Sequence, residues 1–400
     1  MAIKRVRVED LKEGMFIHDL NCGWLQHGFL RQQFLLRQSS QIKKMKDQGM
    51  DEVYIDTARG DDVADAPTRE EIDQRLEAQL KESVAAGAAG LHARVSQKEE
   101  SAAAKRILGE ASGVVNGLLQ DVRLGKQLDP VKAKPLVKAM HSSVLRNPGA
   151  LISLSRLKSA DTYTFQHSVS ICALLVSFCH SLGLDAASVE EAGLGGLLHD
   201  VGKMKVPNEV LNKPGRLTEE EFKIMKSHAS ISRELLMGVP GISEMVIQIA
   251  GEHHEKISGG GYPLGIAGDQ ISKIGRMTAI VDVYDALTSN RVYHKGMEPS
   301  EVLKKLLEWS GTHLDGDLVQ QFIRTLGIYP VGSLVRLSNG RLAVVVEQNE
   351  DLLRPTVRVI YDIDRKIKLV PRDLQLTSGG EQIVDYEEPA EWKLDPASFL

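Results

Sequence analysis

The sequence predicts a mainly helical protein with a small α+β module at its N-terminus and a small β segment at its C-terminus. Residues 150–326 carry apolar side chains at the spacing that is typical of helices. The composition agrees, because aromatic residues make up only 5% of the chain while alanine, leucine, valine and glutamate are plentiful. From Val331 the pattern changes to alternating apolar and polar residues, which is typical of strands.

Residues 1–60 predict a compact α+β module, to which we assign a regulatory role because every candidate metal ligand lies beyond it. Two runs, RVRVEDL and GMFIHDL, have the pattern of strands. SSQIKKMKDQG has the pattern of a short helix, and DEVYIDT that of a closing strand.

Residues 61–133 predict a linker followed by a helical connector. The run ARGDDVADAPT is charged, small and proline-bearing, as linkers are. A helix should begin after Thr68, because Glu71 stands three residues later in the pattern of a capping box.

A helical domain is expected over residues 134–330, and a β-hairpin segment over residues 331–400. Asn339-Gly340 separates two alternating runs, which is a strong hairpin signal, and PTVRVIYDI adds a third strand.

Charge, cysteines and hydropathy exclude several classes of protein. A net charge of −5 and a pI near 6.2 give no global basic field for a nucleic-acid polymer. Cys22, Cys172 and Cys179 show no CxxC spacing, which favours reduced thiols. The longest apolar run, ICALLVSFC, is too short to span a bilayer, and the N-terminus lacks the apolar stretch of a signal peptide. We therefore expect a cytoplasmic protein with no membrane span.

Seven candidate metal ligands lie between residues 167 and 282, each on or at the end of an apolar helical segment. Imidazole and carboxylate groups together suit a divalent first-row metal. Two such ions bridged by one carboxylate are a common device for phosphoester hydrolysis, and Asp200 is the candidate bridge. The seven residues are His167, His199, Asp200, His228, His253, His254 and Asp282.

Each of these residues has an ordinary structural explanation when it is taken alone. A His-Asp pair means little by itself, since His18-Asp19 occurs in a strand-like run without partners. His167 alone fits a core histidine, and Asp285 is an equal rival to Asp282. The joint pattern is what favours a metal site, and we expect the remaining histidines to lie at the surface or in packing.

The stretch EHHEKISGGGYP joins two of the candidate ligands to three consecutive glycines. Because glycine has no Cβ, residues 259–261 can take positive φ and approach a ligand or a partner closely. Tyr262 then offers a ring for stacking against a ligand or for a protein contact. A plain turn that ends a helix is the alternative.

The order H…HD…H…HH…D, together with HDVGK and GGGYP, resembles the HD-GYP subgroup of the HD phosphohydrolase superfamily. The resemblance covers roughly residues 134–330, and the preceding residues look like an uncharacterised N-terminal domain often fused to it. It implies a helical HD-type bundle that hydrolyses cyclic di-GMP, a bacterial second messenger. The expected products are linear pGpG and, more slowly, GMP, formed by hydroxide activated at a binuclear metal centre.

The resemblance also assigns residues to the two ions. It places one ion on His167, His199, Asp200 and Asp282, and the second on Asp200, His228, His253 and His254. Iron or manganese is expected first, with nickel and zinc as further candidates. Asp200 and Lys203 are the expected catalytic residues, with Lys203 contacting a phosphate oxygen. The expected substrate contacts are Lys203, Arg291, Lys295, Gly260, Gly261 and Tyr262.

Two departures from the family pattern stand in this chain. Ser258 replaces the aspartate that usually begins the glycine loop. Tyr163 replaces the glutamate that holds a third ion in some members, and Asp161 could substitute only if the helix began after it. We therefore expect two ions.

A second hypothesis, from a different class, is a non-catalytic sensor or adaptor that binds the nucleotide or a diguanylate cyclase (GGDEF) protein. Ser258 is its only support in the sequence. A third is another HD enzyme, which the glycine-Tyr-Pro loop disfavours. Cyclic di-GMP is the expected partner; a GGDEF protein docking on the loop and a homodimer are left open.

Overall fold

The protein is described by a computed structural model covering residues 2–22, 33–85, 87, 93–155, 163–213, 215–289 and 296–400. Helices dominate the described residues, with a small sheet near each end of the chain, and the predicted fold class is confirmed. No helix in these ranges combines the length and the apolar character needed to cross a bilayer.

The N-terminal module is a four-stranded antiparallel sheet with one helix against it. Its order is β1-β4-β2-β3, and the predicted strands and helix are all confirmed. The module has a hydrophobic core of its own, which includes the fully buried Ile17, Met45 and Ile55. The elements are β1 (Ile3–Arg7), β2 (Phe16–Asp19), β3 (Phe34–Leu35), α1 (Ser39–Asp47) and β4 (Glu52–Asp56).

Two long helices, α2 (Arg69–Val84) and α3 (Gln97–Arg123), follow the module. The predicted capping box is confirmed, because Thr68 accepts from the Glu71 amide while the Glu71 carboxylate accepts from the Thr68 amide. Helix α3 buries one face in the main core through residues such as Ala104 and Leu118, and α2 joins that core through Leu80 and Val84. The residues expected as a connector therefore pack against the helical domain along most of their length.

The remaining helices form the body of the protein, and five of them surround the candidate ligands. Helices α6, α7, α9, α10 and α11 pack against one another in neighbouring pairs. The bounds are α4 (Lys134–Arg146), α5 (Pro148–Ser155), α6 (Tyr163–Ser181), α7 (Ala186–Leu198), α8 (Asn208–Leu211), α9 (Glu219–Met237), α10 (Glu244–Glu252), α11 (Lys273–Thr288), α12 (Pro299–Glu308) and α13 (Gly316–Leu326).

The C-terminal segment is a five-stranded antiparallel sheet of order β8-β7-β6-β5-β9. The predicted hairpin is confirmed, with Gly340 at φ 73° in the turn between its strands. Its strands share the main core with the helices through residues such as Val335 and Val345. The elements are β5 (Leu334–Leu337), β6 (Arg341–Glu347), β7 (Thr356–Asp362), β8 (Ile367–Gln375), β9 (Ile383–Tyr386) and α14 (Pro389–Trp392).

Candidate metal centre

All seven predicted ligands converge at one place in the helical body. Groups of three of their donor atoms lie within 4.8 Å of one another. Five of the side chains are almost fully buried, while His254 and Asp282 are partly accessible. His167 lies on α6, His199 and Asp200 follow α7, His228 lies on α9, His253 and His254 follow α10, and Asp282 lies on α11.

Asp200 stands at the middle of this cluster, with each carboxylate oxygen facing different imidazoles. Its Oδ1 lies 3.3 Å from His228 Nε2 and 3.9 Å from His253 Nε2. Its Oδ2 lies 3.3 Å from His199 Nε2 and 3.5 Å from His167 Nε2. One carboxylate thus divides the four nitrogens into two pairs, which is the arrangement a bridging ligand needs.

Asp282 closes the other side of the cluster. Its Oδ1 lies 3.2 Å from His167 Nε2, and its Oδ2 lies 3.9 Å from His254 Nδ1. His254 Nε2 in turn lies 3.2 Å from His228 Nε2. The second carboxylate therefore reaches one imidazole of each pair.

Backbone carbonyls fix the orientation of three of the imidazoles. In each ring Nδ1 lies within hydrogen-bond distance of a carbonyl of the preceding helical turn, to which it donates, and Nε2 faces the cluster. This is how proteins commonly set the tautomer of a metal-binding histidine. The bonds run from His199 to Gly196 at 2.9 Å, from His228 to Met225 at 2.6 Å and from His253 to Ala250 at 3.0 Å.

His167 is oriented by a carboxylate instead. Its Nδ1 lies 2.7 Å from Oδ2 of the buried Asp285, on the side of the ring opposite Asp282. Asp282 and Asp285, which were equal candidates in the sequence, thus contact different nitrogens of the His167 imidazole. Asp285 is a site residue that sequence reasoning did not assign, although its three-residue offset from Asp282 places it on the same helix face.

The donor set fits divalent metal ions. His199 Nε2, Asp200 Oδ1 and His253 Nε2 are buried and have no hydrogen-bond partner among the described residues. Orphaned buried polar atoms cost free energy unless something occupies their lone pairs. Imidazole nitrogens and carboxylate oxygens together are the ligands that divalent first-row metals accept.

The charge states of the side chains also suit metal binding. Burial lowers the pKa of His228 to about 4 and that of His253 to about 3, so both rings are neutral near pH 7. Burial alone would raise the pKa of Asp200, but the Lys203 ammonium and His199 outweigh it and hold that pKa well below its usual range. Neutral imidazoles and an ionised carboxylate are the forms that bind a cation.

Lys203 lies at the edge of the cluster, on the short 3₁₀ helix Val201–Lys205 that follows Asp200. Its Nζ is 2.5 Å from Asp200 Oδ2, and the side chain is partly accessible. An ammonium in this position can bind the central carboxylate or turn towards an anion that enters the site.

Gly202 allows α9 to come close enough for His228 to reach Asp200. A Cβ at residue 202 would lie 2.2 Å from the His228 carbonyl oxygen and 2.6 Å from the Ser232 nitrogen. The Gly202 amide also donates to Ser232 Oγ at 2.8 Å. The glycine of HDVGK is thus required by the packing of the chain that carries the ligands.

The three glycines after the paired histidines turn the chain back over the cluster. Gly259 and Gly260 have φ of 87° and 75°, which confirms the predicted left-handed backbone at these two positions, whereas Gly261 does not have positive φ. A Cβ on Gly261 would lie 2.5 Å from both Glu255 Cα and the Lys256 nitrogen. The Tyr262 ring then lies against His254, with 4.6 Å between the ring centroids.

Several predicted residues are not placed by the structure. Arg291 and Lys295 lie outside the described residues, as does Asp161. Tyr163 begins α6, but its side chain is also outside the description. Ser258 is exposed in the glycine loop, and its amide donates to the Thr312 carbonyl at 2.9 Å.

Family models match two parts of the chain. An HD domain matches residues 149–318, and a domain of unknown function, DUF3391, matches residues 3–133. The first range contains all seven converging side chains.

Named relatives extend these matches. The chain is 40% identical over 394 residues to the cyclic di-GMP phosphodiesterase PA4108 of Pseudomonas aeruginosa, covering 98% of this chain and 93% of that protein. It is 37% identical to the cyclic di-GMP phosphodiesterase response regulator RpfG of Xanthomonas campestris, over 43% of this chain and 47% of that one. It is 36% identical to the 3'3'-cGAMP-specific phosphodiesterase 1 of Vibrio cholerae, over 44% of this chain and 41% of that protein.

Among solved structures, Bd1817, an HDG"Y"P protein from Bdellovibrio bacteriovorus, aligns with a TM-score of 0.47 and 18% identity. The alignment covers 80% of this chain and 98% of that chain.

Proposed function

The chain belongs to the HD-GYP family of the HD phosphohydrolase superfamily, and from this membership we propose that it is a metal-dependent phosphodiesterase of cyclic di-GMP. The relative that matches nearly the whole chain carries that activity in its name. The observation that supports the proposal most strongly is the position of Asp200 between two pairs of imidazoles.

Each half of the cluster would hold one divalent ion, iron or manganese first and nickel or zinc as further candidates. We assign one ion to His167, His199, Asp200 and Asp282, and the other to Asp200, His228, His253 and His254. When bound, two such ions acidify a shared water and neutralise the charge that builds up on a phosphate. Asp200 would serve both halves of the site with its one carboxylate.

Lys203 would serve the transition state. Its Nζ lies within hydrogen-bond distance of Asp200 and partly exposed at the rim of the site, so a short rotation brings it to an entering phosphate. A donor aimed at charge that develops during the reaction contributes more to the rate than to ground-state binding. In this assignment Lys203 and Asp200 are the catalytic residues of the chain.

The nucleotide would lie against the glycine loop. Gly260 and Gly261 expose backbone beside the cluster, and the partly accessible Tyr262 completes that wall. Arg291 and Lys295 complete the proposed set of substrate contacts by resemblance to the family. A guanidinium offers a planar fork that matches two phosphate oxygens.

The proposed product is linear pGpG, with GMP formed more slowly. A third ion would need another anionic ligand one helical turn before His167, and Tyr163 occupies that position. A neutral phenol is a poor ligand for a hard divalent ion. The second cleavage presents a terminal phosphate of higher charge, so a two-ion site should favour the first step.

The N-terminal module is proposed to be regulatory because it touches the segment that carries the ligands. Lys256, two residues after His254, donates through Nζ to the Gly49 carbonyl at 3.2 Å.

We also propose that the protein is located in the cytoplasm, because its free thiols suit a reducing compartment. A GGDEF partner and a homodimer remain predictions.

Chromatography of a substrate panel tests the proposal. Full-length protein loaded with Mn²⁺ should convert cyclic di-GMP to pGpG faster than it converts 3'3'-cGAMP, the substrate in the name of a relative that matches less of the chain. Preference for 3'3'-cGAMP would contradict the assigned substrate. Nucleotide binding without hydrolysis by the metal-loaded protein would favour the sensor hypothesis.

A further inference from the structure

His254 is held differently from the other imidazoles of the cluster. The rings of His199, His228 and His253 each donate through Nδ1 to a backbone carbonyl, and that of His167 contacts Asp285. Within the described ranges, neither nitrogen of His254 bonds to a backbone carbonyl. Its Nδ1 lies 3.9 Å from Asp282, beyond hydrogen-bond distance.

Aromatic packing takes the place of that hydrogen bond. The Tyr262 ring lies over His254 with centroids 4.6 Å apart and an interplanar angle of 31°. The His253 ring packs against it as well, with centroids 4.0 Å apart. The His254 ring thus has an aromatic ring packed against it on two sides, and these contacts restrict its rotation.

Tyr262 is itself fixed by the fold of the loop. Its amide donates to the His254 carbonyl at 3.2 Å, so the loop returns to the residue that it follows. The Glu255 carboxylate accepts from the amides of Leu264 at 2.6 Å and Gly265 at 3.0 Å. Gly261 lies too close to Glu255 for any Cβ. Backbone hydrogen bonds at Tyr262 itself and just after it, at Leu264 and Gly265, therefore fix the position of the Tyr262 ring.

From these contacts we propose that Tyr262 is a positioning residue that keeps His254 turned towards the second ion site. The proposal rests on the proposed function, because it gives His254 the role of a metal ligand. The ring face that covers His254 is closed to a base, so guanine stacking on that face is not the role we assign to Tyr262. The loop between the paired histidines and Tyr-Pro thus serves the metal centre directly.

Metal content and affinity test the proposal on full-length protein with Mn²⁺ as the probe. Tyr262→Phe keeps the ring and should retain both ions. Tyr262→Ala and Tyr262→Leu should bind the second ion roughly 10- to 100-fold more weakly, as is usual when the support of a ligand is removed. The electron paramagnetic resonance spectrum should change from that of a coupled manganese pair to that of an isolated ion.

Leu264→Ala is the matched control, because this side chain is in the same loop, is 47% exposed and should leave Mn²⁺ affinity unchanged. The ion retained by the other half of the cluster, with His167, His199, Asp200 and Asp282, reports that a variant is folded. Tyr262→Ala with two tightly bound ions and only a raised KM would overturn the proposal and favour substrate stacking. Wild-type protein that binds no Mn²⁺ pair would instead reject the binuclear centre on which the proposed function depends.

Discussion

At the scale of single residues, we expect a substitution of Lys203 to lower the rate of hydrolysis without weakening the binding of metal. Lys203→Met should retain both ions, since four imidazoles surround Asp200 without it. The variant should lose roughly 10²-fold in kcat, by analogy with removal of one oxyanion donor. Elemental analysis and steady-state kinetics check both parts.

Lys205→Met is the control for that variant, because Lys205 belongs to the same 3₁₀ helix and is exposed. Its kcat should equal that of the wild type. Loss of metal from Lys203→Met would assign the lysine a structural role.

Asp285 is proposed to affect metal binding indirectly, by orienting the metal ligand His167. Asp285→Asn removes the carboxylate that lies 2.7 Å from His167 Nδ1, and affinity for the ion on His167 should fall roughly 10- to 100-fold. Competition with a metal chelator measures this affinity. Asp269→Asn, with a fully exposed side chain, is the control. Unchanged affinity in Asp285→Asn would show that the position of His167 does not depend on this contact.

At the scale of elements, the glycine loop is constrained by close approach of the backbone. Gly261→Ala places a Cβ 2.5 Å from Glu255 Cα, so the loop must shift. Overpacking of this kind costs about 1–3 kcal/mol, and the midpoint of thermal unfolding should fall. Gly113→Ala, on α3 with open space around its Cβ, should raise the midpoint because alanine favours helix. Equal midpoints for the two variants would contradict the packing argument.

The sequence predicted those elements whose signals are local. Thr68 with Glu71, and Asn339-Gly340, act within a few residues, and both features are present in the structure. Strand β8 was not predicted, because it is an edge strand with most residues exposed and Pro371 within it, so its side chains do not alternate. The packing of α3 into the main core depends on tertiary contacts with α4, α5 and α6, which no local pattern encodes.

In the candidate site, too, some features could be predicted from the sequence and others depend on tertiary structure. The identities of the seven converging residues could be predicted from the sequence, because histidine and aspartate side chains in that order resemble a known family. The roles of Asp282 and Asp285 could not be separated, since both lie on one face of α11. The contact between Tyr262 and His254 depends on how the loop returns, and spacing alone does not specify that path.

At the scale of the whole molecule, Lys256 connects the N-terminal module to the segment that carries His254. Burial lowers the pKa of Lys256, and its Nζ donates to the Gly49 carbonyl at 3.2 Å. Lys256→Met should speed amide hydrogen exchange in residues 257–266 and around residue 49, and lower kcat several-fold, while both ions stay bound. Hydrogen exchange read by mass spectrometry measures the first effect.

Lys43→Met, an exposed lysine on α1, should leave the exchange pattern unchanged. Exchange in Lys256→Met identical to the wild type would contradict a mechanical link between the module and the loop.

The central claim is that Asp200 joins two ions into one hydrolytic centre, and the rate of pGpG formation by Asp200→Asn tests it most directly. Full-length wild type and variant are compared at saturating Mn²⁺ with cyclic di-GMP, and circular dichroism verifies that both are folded. We predict that the wild type forms pGpG and that the folded variant forms none above background. A variant that keeps most of the wild-type rate would contradict the account.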